Sequence, residues 1–211
     1  IKVIMKISYA VTVCNELIEI QRLLGLLIEN KRKQDEIIVL YDNTNGTNEV
    51  EQILDHYNSI FKYYALHKAP FKNHFADWKN HLTSLCTGDY IYQIDADELI
   101  NKNIFKLLPQ VLEQNDVDVL MVSRINTVEG ITQEHIDKWG WKVTNQGWIN
   151  FPDPQFRVYR NNGKIKWKNK VHEVLEGYKT ISHLPTEEEW CLIHEKTIKR
   201  QETQNEFYDT I

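Results

Sequence analysis

The chain has 211 residues, 42% hydrophobic and 26% charged, enough for one good-sized core or two small ones and ordinary for a folded globular protein. A net charge of −5 gives no general affinity for nucleic acid, and no apolar run nears the roughly 20 residues needed to span a bilayer. Three widely spaced cysteines in apolar contexts, Cys14, Cys86 and Cys191, read as reduced core thiols of a cytoplasmic protein and not as a disulfide frame or zinc site.

Residues 1–5 are too short to form a signal peptide; Met5 before a strand fits either a natural start or an excised piece. Residues 7–14 (ISYAVTVC) are a β-branched apolar run and predict a buried strand. Leu17, Ile20, Leu23, Leu24, Leu27 and Ile28 then recur at helical spacing. Residues 36–41 predict a second buried strand, closed by the turn-forming run DNTNG at 42–46. A short helix at 49–57, a strand at 61–66 and a helix at 75–86 follow. The run 90–95 predicts a strand, 104–114 a helix and 117–123 another strand. This alternation predicts a mostly parallel sheet with helices on both faces.

The remainder differs. Residues 124–147 are irregular and rich in Trp and Gly. QFRVYR at 155–160 alternates like a strand, and with the turn at 161–163 and residues 165–167 it predicts an antiparallel hairpin. The tail from Glu187 is charged and helical at its end. Neither an internal repeat nor a low-complexity segment is present.

The most informative stretch is GDYIYQIDADE at 88–98, where an apolar strand ends in three carboxylates within four residues. Like charges this close repel, and a divalent cation is the usual resolution; hard oxygen ligands suit Mg²⁺ or Mn²⁺, which bridge to substrate phosphates. An isolated Asp-x-Asp more often marks a solvated acidic turn before a helix. Its position after an apolar strand reverses that preference, because ligands of open α/β sheets bind beyond the carboxyl ends of the strands.

Other candidates share that edge. Asp42 closes the second strand and can accept from a base N–H or a ribose hydroxyl, or simply organise an Asx-turn. The loop 12–16 (Thr12, Val13, Cys14, Asn15, Glu16) can hold a nucleotide through its amides and the following helix N-terminus. Neither Gly-x-Gly-x-x-Gly nor Gly-x-x-x-x-Gly-Lys-Ser/Thr occurs, which disfavours a Rossmann dehydrogenase and a P-loop NTPase. Lys72 can meet a phosphate while Asn73 caps the next helix. Glu173, in Val171-His172-Glu173, is a candidate general base, with the alternative of an exposed polar turn. His194 can complete a metal site begun by Asp97, and Lys196, Lys199 and Arg200 can neutralise a leaving diphosphate; a solvated amphipathic helix is the plainer reading. The lysines at 164, 166, 168 and 170 form a local anion-binding candidate. Trp139, Trp141 and Trp148 either stack on a sugar or anchor loops.

Taken together, the order of these motifs resembles glycosyltransferases of the GT-A fold, closest to family 2, from about Lys6 to the C-terminus. Residues 7–16 resemble the family's first strand and Asn-Glu signature, Asp42 its base-contacting acid, and 75–98 its helix-plus-strand block ending in Asp95-Ala96-Asp97-Glu98. PQFRVYR at 154–160 with Val171-His172-Glu173 resembles the subgroup that includes lipopolysaccharide-core glucosyltransferases and related bacterial and viral enzymes, as do His194 and the basic residues after it. Two departures stand out: Trp78-Lys79-Asn80 replaces an Ala-Arg-Asn-like run, and the Gln-x-x-Arg-Trp motif of processive synthases is absent.

The resemblance implies one α/β GT-A (Rossmann-like) domain over 1–211, a mostly parallel sheet flanked by helices with a small antiparallel hairpin near the C-terminus. Residues 1–123 would be the nucleotide-sugar half and 124–211 the acceptor and catalytic half. It implies transfer, with inversion, of one sugar from a UDP-sugar, UDP-glucose favoured, to a glycan, lipid-linked or protein acceptor. Asp95, Asp97 and His194 would hold Mn²⁺ or Mg²⁺. Thr12, Val13, Asn15, Glu16, Asp42, Lys72, Ala96, Lys196 and Arg200 would contact the donor. Glu173 is the first choice of base and Asp153 the second. The rival readings are a non-catalytic nucleotide-sugar-binding module and a sugar-phosphate nucleotidyltransferase, the latter lacking its Gly-rich loop.

Overall fold

The computed structural model describes residues 5–208 and 210; the reading of residues 1–4 lies outside them. Four parallel strands come first in the sheet: β1 (Ile7–Val13), β2 (Glu36–Asp42), β3 (Tyr64–Ala69) and β4 (Tyr90–Asp95), in the order β3-β2-β1-β4. All seven β2 residues are buried, the signature of a strand covered on both faces. Helices α1 (Leu17–Asn30), α2 (Asn48–Ile60) and α4 (Lys102–Gln114) cover one face. Ile20, Leu23, Leu24 and Leu27 of α1 are buried at the 3, 4 and 7 spacing of a single helix stripe. Helix α3 (Phe75–Leu85) covers the other face, seating Trp78 and Leu82 against Ala10, Ile38 and Ile91.

Side chains fix where these strands begin. Glu36 accepts from Lys6 Nζ (2.5 Å), Ser8 Oγ (2.6 Å), Thr87 N (2.7 Å) and Thr87 Oγ1 (2.8 Å), tying the starts of β1, β2 and β4 together. Gly88 is required beside this staple, because a Cβ there would lie 2.7 Å from the Ser8 nitrogen. Thr47 and Asn101 cap α2 and α4 as side-chain acceptors.

The sheet continues with β7 (Ile149–Arg160), β6 (Val119–Glu129), β11 (Leu192–Thr197) and β5 (Glu98–Ile100). Strand β7 inserts antiparallel between β4 and β6, while β11 runs parallel to β6. A short β10 (Ile181–His183) pairs with the start of β6, and β8 (Lys166–Lys168) with β9 (Val174–Glu176) forms a separate antiparallel pair. The mostly parallel sheet, the flanking helices and the small antiparallel hairpin are therefore all present.

Several expectations are corrected in detail. The third strand begins at Tyr64, not 61. QFRVYR does not pair with residues 165–167; it is the end of β7 in the central sheet, and the hairpin partner of β8 is β9. The segment 124–147 is less irregular than its composition suggests: β6 runs on to Glu129, and α5 (Gln133–Trp139) follows behind a capping box of Thr132 and His135. His194 lies on a strand, not a solvated helix, and the terminal helix α6 (Ile198–Tyr208) starts after it. His74, not Asn73, caps α3, accepting from Asp77 N at 3.2 Å.

Candidate active site

Strand order reverses at β1, with β2 and β3 on one side and β4 on the other. The carboxyl ends of β1 and β4 thus bound a crevice, the usual ligand position in such sheets. Register places Thr12 beside Asp95, and Thr12 Oγ1 donates to Asp95 Oδ1 at 3.1 Å.

The three carboxylates after β4 have different surroundings. Glu98 is fully buried and accepts from Arg157 Nε (3.0 Å), Arg157 Nη2 (2.5 Å) and Arg124 Nη1 (3.0 Å). It is a structural anion, not a free ligand. Asp95 Oδ2 accepts from Arg157 Nη2 at 3.0 Å, and Lys79 Nζ lies 3.9 Å from Oδ1. Burial alone would raise the Asp95 carboxyl, but the Lys79 and then the Arg157 charge outweigh it and hold it at about 2. Asp97 faces the opposite side: its Oδ2 lies 3.3 Å from His194 Nε2 and 3.6 Å from Arg200 Nη2. Burial opposes its ionisation too, yet His194, Lys196 and Arg200 hold it well below the usual carboxylate range.

Position 194 is set by β11, which pairs with β6 so that His194 and Asn126 are neighbours. His194 is buried, and its Nδ1 meets Asn126 Oδ1 at 2.7 Å. Asn126 Nδ2 donates to Asp153 Oδ2 at 2.8 Å. Asp153 also accepts from Arg124 Nε (3.0 Å) and Gln155 Nε2 (2.7 Å), and its carboxyl is lowered because Arg124 outweighs the burial that would raise it.

The loop after β1 is closed by Glu16, whose Oε2 accepts from Cys14 N (2.7 Å) and Asn15 N (3.1 Å). Burial raises the Glu16 carboxyl. Arg200 ties this loop to the tail, with Nη2 3.1 Å from Glu16 Oε1 and Nη1 2.8 Å from Glu19 Oε1. Asp42 is an Asx-turn residue: Oδ1 accepts from Thr44 N (2.9 Å) and Phe71 N (3.1 Å), Oδ2 from Asn45 Nδ2 (2.8 Å). Lys72 is exposed. Lys196 is bonded to Gln204 of α6. Beside Asp97 a pocket of only about 20 Å³ is lined by Ala96 and Glu19, and a wider, open cleft of about 460 Å³ by Lys196 and Arg200.

Glu173 reaches the crevice from the other face. His172 adopts a left-handed backbone (φ 54°), and Glu173 Oε1 lies 2.9 Å from Lys79 Nζ, which also sits 4.8 Å over the Trp167 ring. The Tyr208 ring lies 6.2 Å from both Phe75 and His172. Burial raises its hydroxyl, and Asp95, Glu173 and Asp97 raise it further. Trp78 and Trp167 are core residues. Trp139 packs on Trp141 at 4.6 Å, and Trp148 on Phe151 at 4.8 Å.

The structure thus brings together Thr12, Asp95, Asp97, Glu173, His194, Lys196 and Arg200, and leaves Lys72 on the surface. Arg157, Arg124, Asn126 and Lys79 were not singled out from the sequence as site residues. Only Arg157 left a signal there: it stands inside the strand-like run QFRVYR, and an Arg buried in a strand needs anionic partners.

A divalent cation fits this chemistry in part. Asp97 and His194 supply an oxygen and a nitrogen donor facing each other, a set that suits Mn²⁺. Among the described residues no group of three or more His, Cys, Asp or Glu side chains is arranged to hold a metal ion. Further ligands would come from phosphate and water, as is usual where Mg²⁺-type ions meet nucleotides.

Comparison with known proteins bears on this site. A family model described as Glycosyl transferase family 2 matches residues 8–188. No curated protein matches the chain. The crystal structure of S. aureus TarS 1-349 in complex with UDP-GlcNAc superposes with a TM-score of 0.66 at 18% identity, over 91% of this chain and 59% of that one. A second crystal structure of S. aureus TarS 1-349 gives 0.64 at 17% identity, over 90% of this chain and 60% of that one. The mannosyltransferase PcManGT from Pyrobaculum calidifontis, in complex with GDP-Man and Mn²⁺, gives 0.50 at 16% identity, over 58% and 36%. The chain spans about three fifths of the TarS fragment, and these likenesses establish the shared fold.

Proposed function

The chain belongs to glycosyl transferase family 2, and from that premise we propose that it moves one sugar from a nucleotide diphosphate sugar to an acceptor hydroxyl, with inversion. The observation that carries this reading is the meeting of Asp97 and His194, 3.3 Å apart at the carboxyl edge of the sheet, with Arg200 beside them. A UDP-sugar is the favoured donor, UDP-glucose first, in keeping with the UDP-GlcNAc bound by TarS.

Residues 1–123 form the donor half in this reading and 124–211 the acceptor and catalytic half. Thr12, Val13, Asn15, Glu16 and Asp42 hold base and ribose, and Lys72 approaches a phosphate from the surface. Asp97 and His194 would hold Mn²⁺ or Mg²⁺, with Asp95 reaching it through water. The ion supplies charge neutralisation on the leaving diphosphate. Lys196 and Arg200 neutralise the same group from the chain itself.

Glu173 takes the proton of the acceptor hydroxyl. The freed oxygen attacks the anomeric carbon, the bond from that carbon to the diphosphate oxygen breaks, and the electron pair leaves with the nucleotide. Glu173 is preferred to Asp153 because Asp153 already accepts from Arg124, Asn126 and Gln155, which occupies most of its acceptor positions. The test is a panel of UDP-, GDP- and CMP-sugars incubated with Mn²⁺ or with EDTA, reading free nucleotide. Release from one donor only with metal is expected. No release together with no saturable UDP binding would overturn the assignment.

A further inference from the structure

Between the proposed metal pair and Asp153 stands one carboxamide. Asn126 Nδ2 donates to Asp153 Oδ2 at 2.8 Å, and a carboxylate only accepts, so this contact fixes which end of the amide is which. Asn126 Oδ1 is then the atom 2.7 Å from His194 Nδ1, and it can only accept, so Nδ1 carries the hydrogen. The other ring nitrogen, Nε2, is left turned toward Asp97. Backbone geometry supports the same aim: the β6–β7 register shifts between Arg124 and Asn126, and such irregularities redirect side chains near functional sites.

We propose that Asn126 is a positioning residue that fixes the tautomer and orientation of His194, presenting the Nε2 lone pair to a divalent cation shared with Asp97. The inference rests on the metal reading above and adds to it a determinant of metal affinity outside the ligands. Partners of ligating histidines commonly change metal affinity by about 10- to 100-fold when removed.

The experiment titrates Mn²⁺ into metal-free protein, with and without UDP, and reads the free ion by electron paramagnetic resonance. Asn126→Leu keeps the volume and removes both hydrogen bonds; it is expected to weaken Mn²⁺ binding by about 10-fold or more. Asn126→Asp keeps an acceptor for Nδ1–H and is expected to bind within about threefold of the unsubstituted protein. A merely structural role predicts the reverse order, because the Asp variant sets a second half-buried carboxylate against Asp153. Equal binding by all three proteins overturns the role of Asn126 alone, whereas no binding by the unsubstituted protein removes the metal reading and this inference with it. Ring ¹⁵N shifts of His194 in the unsubstituted protein loaded with diamagnetic Cd²⁺ give a readout that needs no variant. Ligation through Nε2 with the hydrogen on Nδ1 is expected, and ligation through Nδ1 overturns the proposal.

Discussion

The Lys79 ammonium stands 2.9 Å from the Glu173 carboxylate, with both side chains largely buried. The contact holds the Glu173 side chain in place in the crevice, where a general base would meet the acceptor hydroxyl. Glu173→Gln keeps the shape and a hydrogen-bonding oxygen but cannot take a proton. Its kcat should fall about 10²- to 10⁴-fold with donor affinity unchanged, measured by nucleotide release and by UDP titration. Loss of less than threefold would move the base to Asp153, where Asp153→Asn would then show the larger effect.

Asp97 differs from its neighbours in facing His194 and Arg200 and not Arg157. Replacing it with Ala or Asn should abolish metal-dependent transfer while thermal unfolding stays within a few degrees of the parent. Full activity in Asp97→Asn, assayed across a Mn²⁺ series, would sink the metal assignment.

Arg157 is 3% exposed and joins Glu98, which is fully buried, to Asp95. Removing one partner of such a group leaves uncompensated buried charge. Arg157→Ala should therefore cost about 3–5 kcal/mol in urea unfolding. Arg157→Lys keeps the charge without the two-pronged geometry and should fall between. A loss in the alanine variant no larger than that of an exposed arginine would show that Glu98 is satisfied by Arg124 alone.

This arginine also shows where the sequence stops being legible. The carboxylate cluster could be read because Asp95-Ala96-Asp97 interrupts an apolar strand, an event local to the chain. Its cations come from β7, α3 and β6, and only the insertion of β7 between β4 and β6 brings Arg157 to Asp95. Periodicity identified β7 as a strand but carries no information on its neighbours, so a hairpin with residues 165–167 looked equally natural. β11 was missed for a related reason: LIHEKT has two apolar residues before charged ones, and its burial comes from docking against β6 and β5. Helix α5 was obscured by its Trp- and Gly-rich surroundings, although its capping box was local.

Arg200 couples the terminal helix to the first loop through Glu16 and Glu19 and reaches Asp97. If the arginine also meets the diphosphate, Arg200→Ala should raise the donor KM about tenfold, with a smaller effect on kcat. Added salt should weaken donor binding more in the parent than in the variant. A KM unchanged within twofold would confine Arg200 to holding α6 in place.

The last prediction concerns pH and lies away from the crevice. Glu36 is buried at the start of β2; burial raises its carboxyl, but the hydrogen bonds from Lys6, Ser8 and Thr87 outweigh this and set it below the ordinary 4.5. The unfolded chain therefore takes up this proton first as the solution is acidified. In the window between the ordinary value and the lowered one the unfolded state binds more protons, so stability falls as pH falls. The contribution is complete above about pH 5 and lost as the pH drops through the native value. The urea midpoints of the parent and Glu36→Gln should differ most near pH 7 and converge toward pH 3. A difference that stays constant from pH 7 to pH 3 would mean the staple acts through shape and neutral hydrogen bonds, not through the ionised carboxylate.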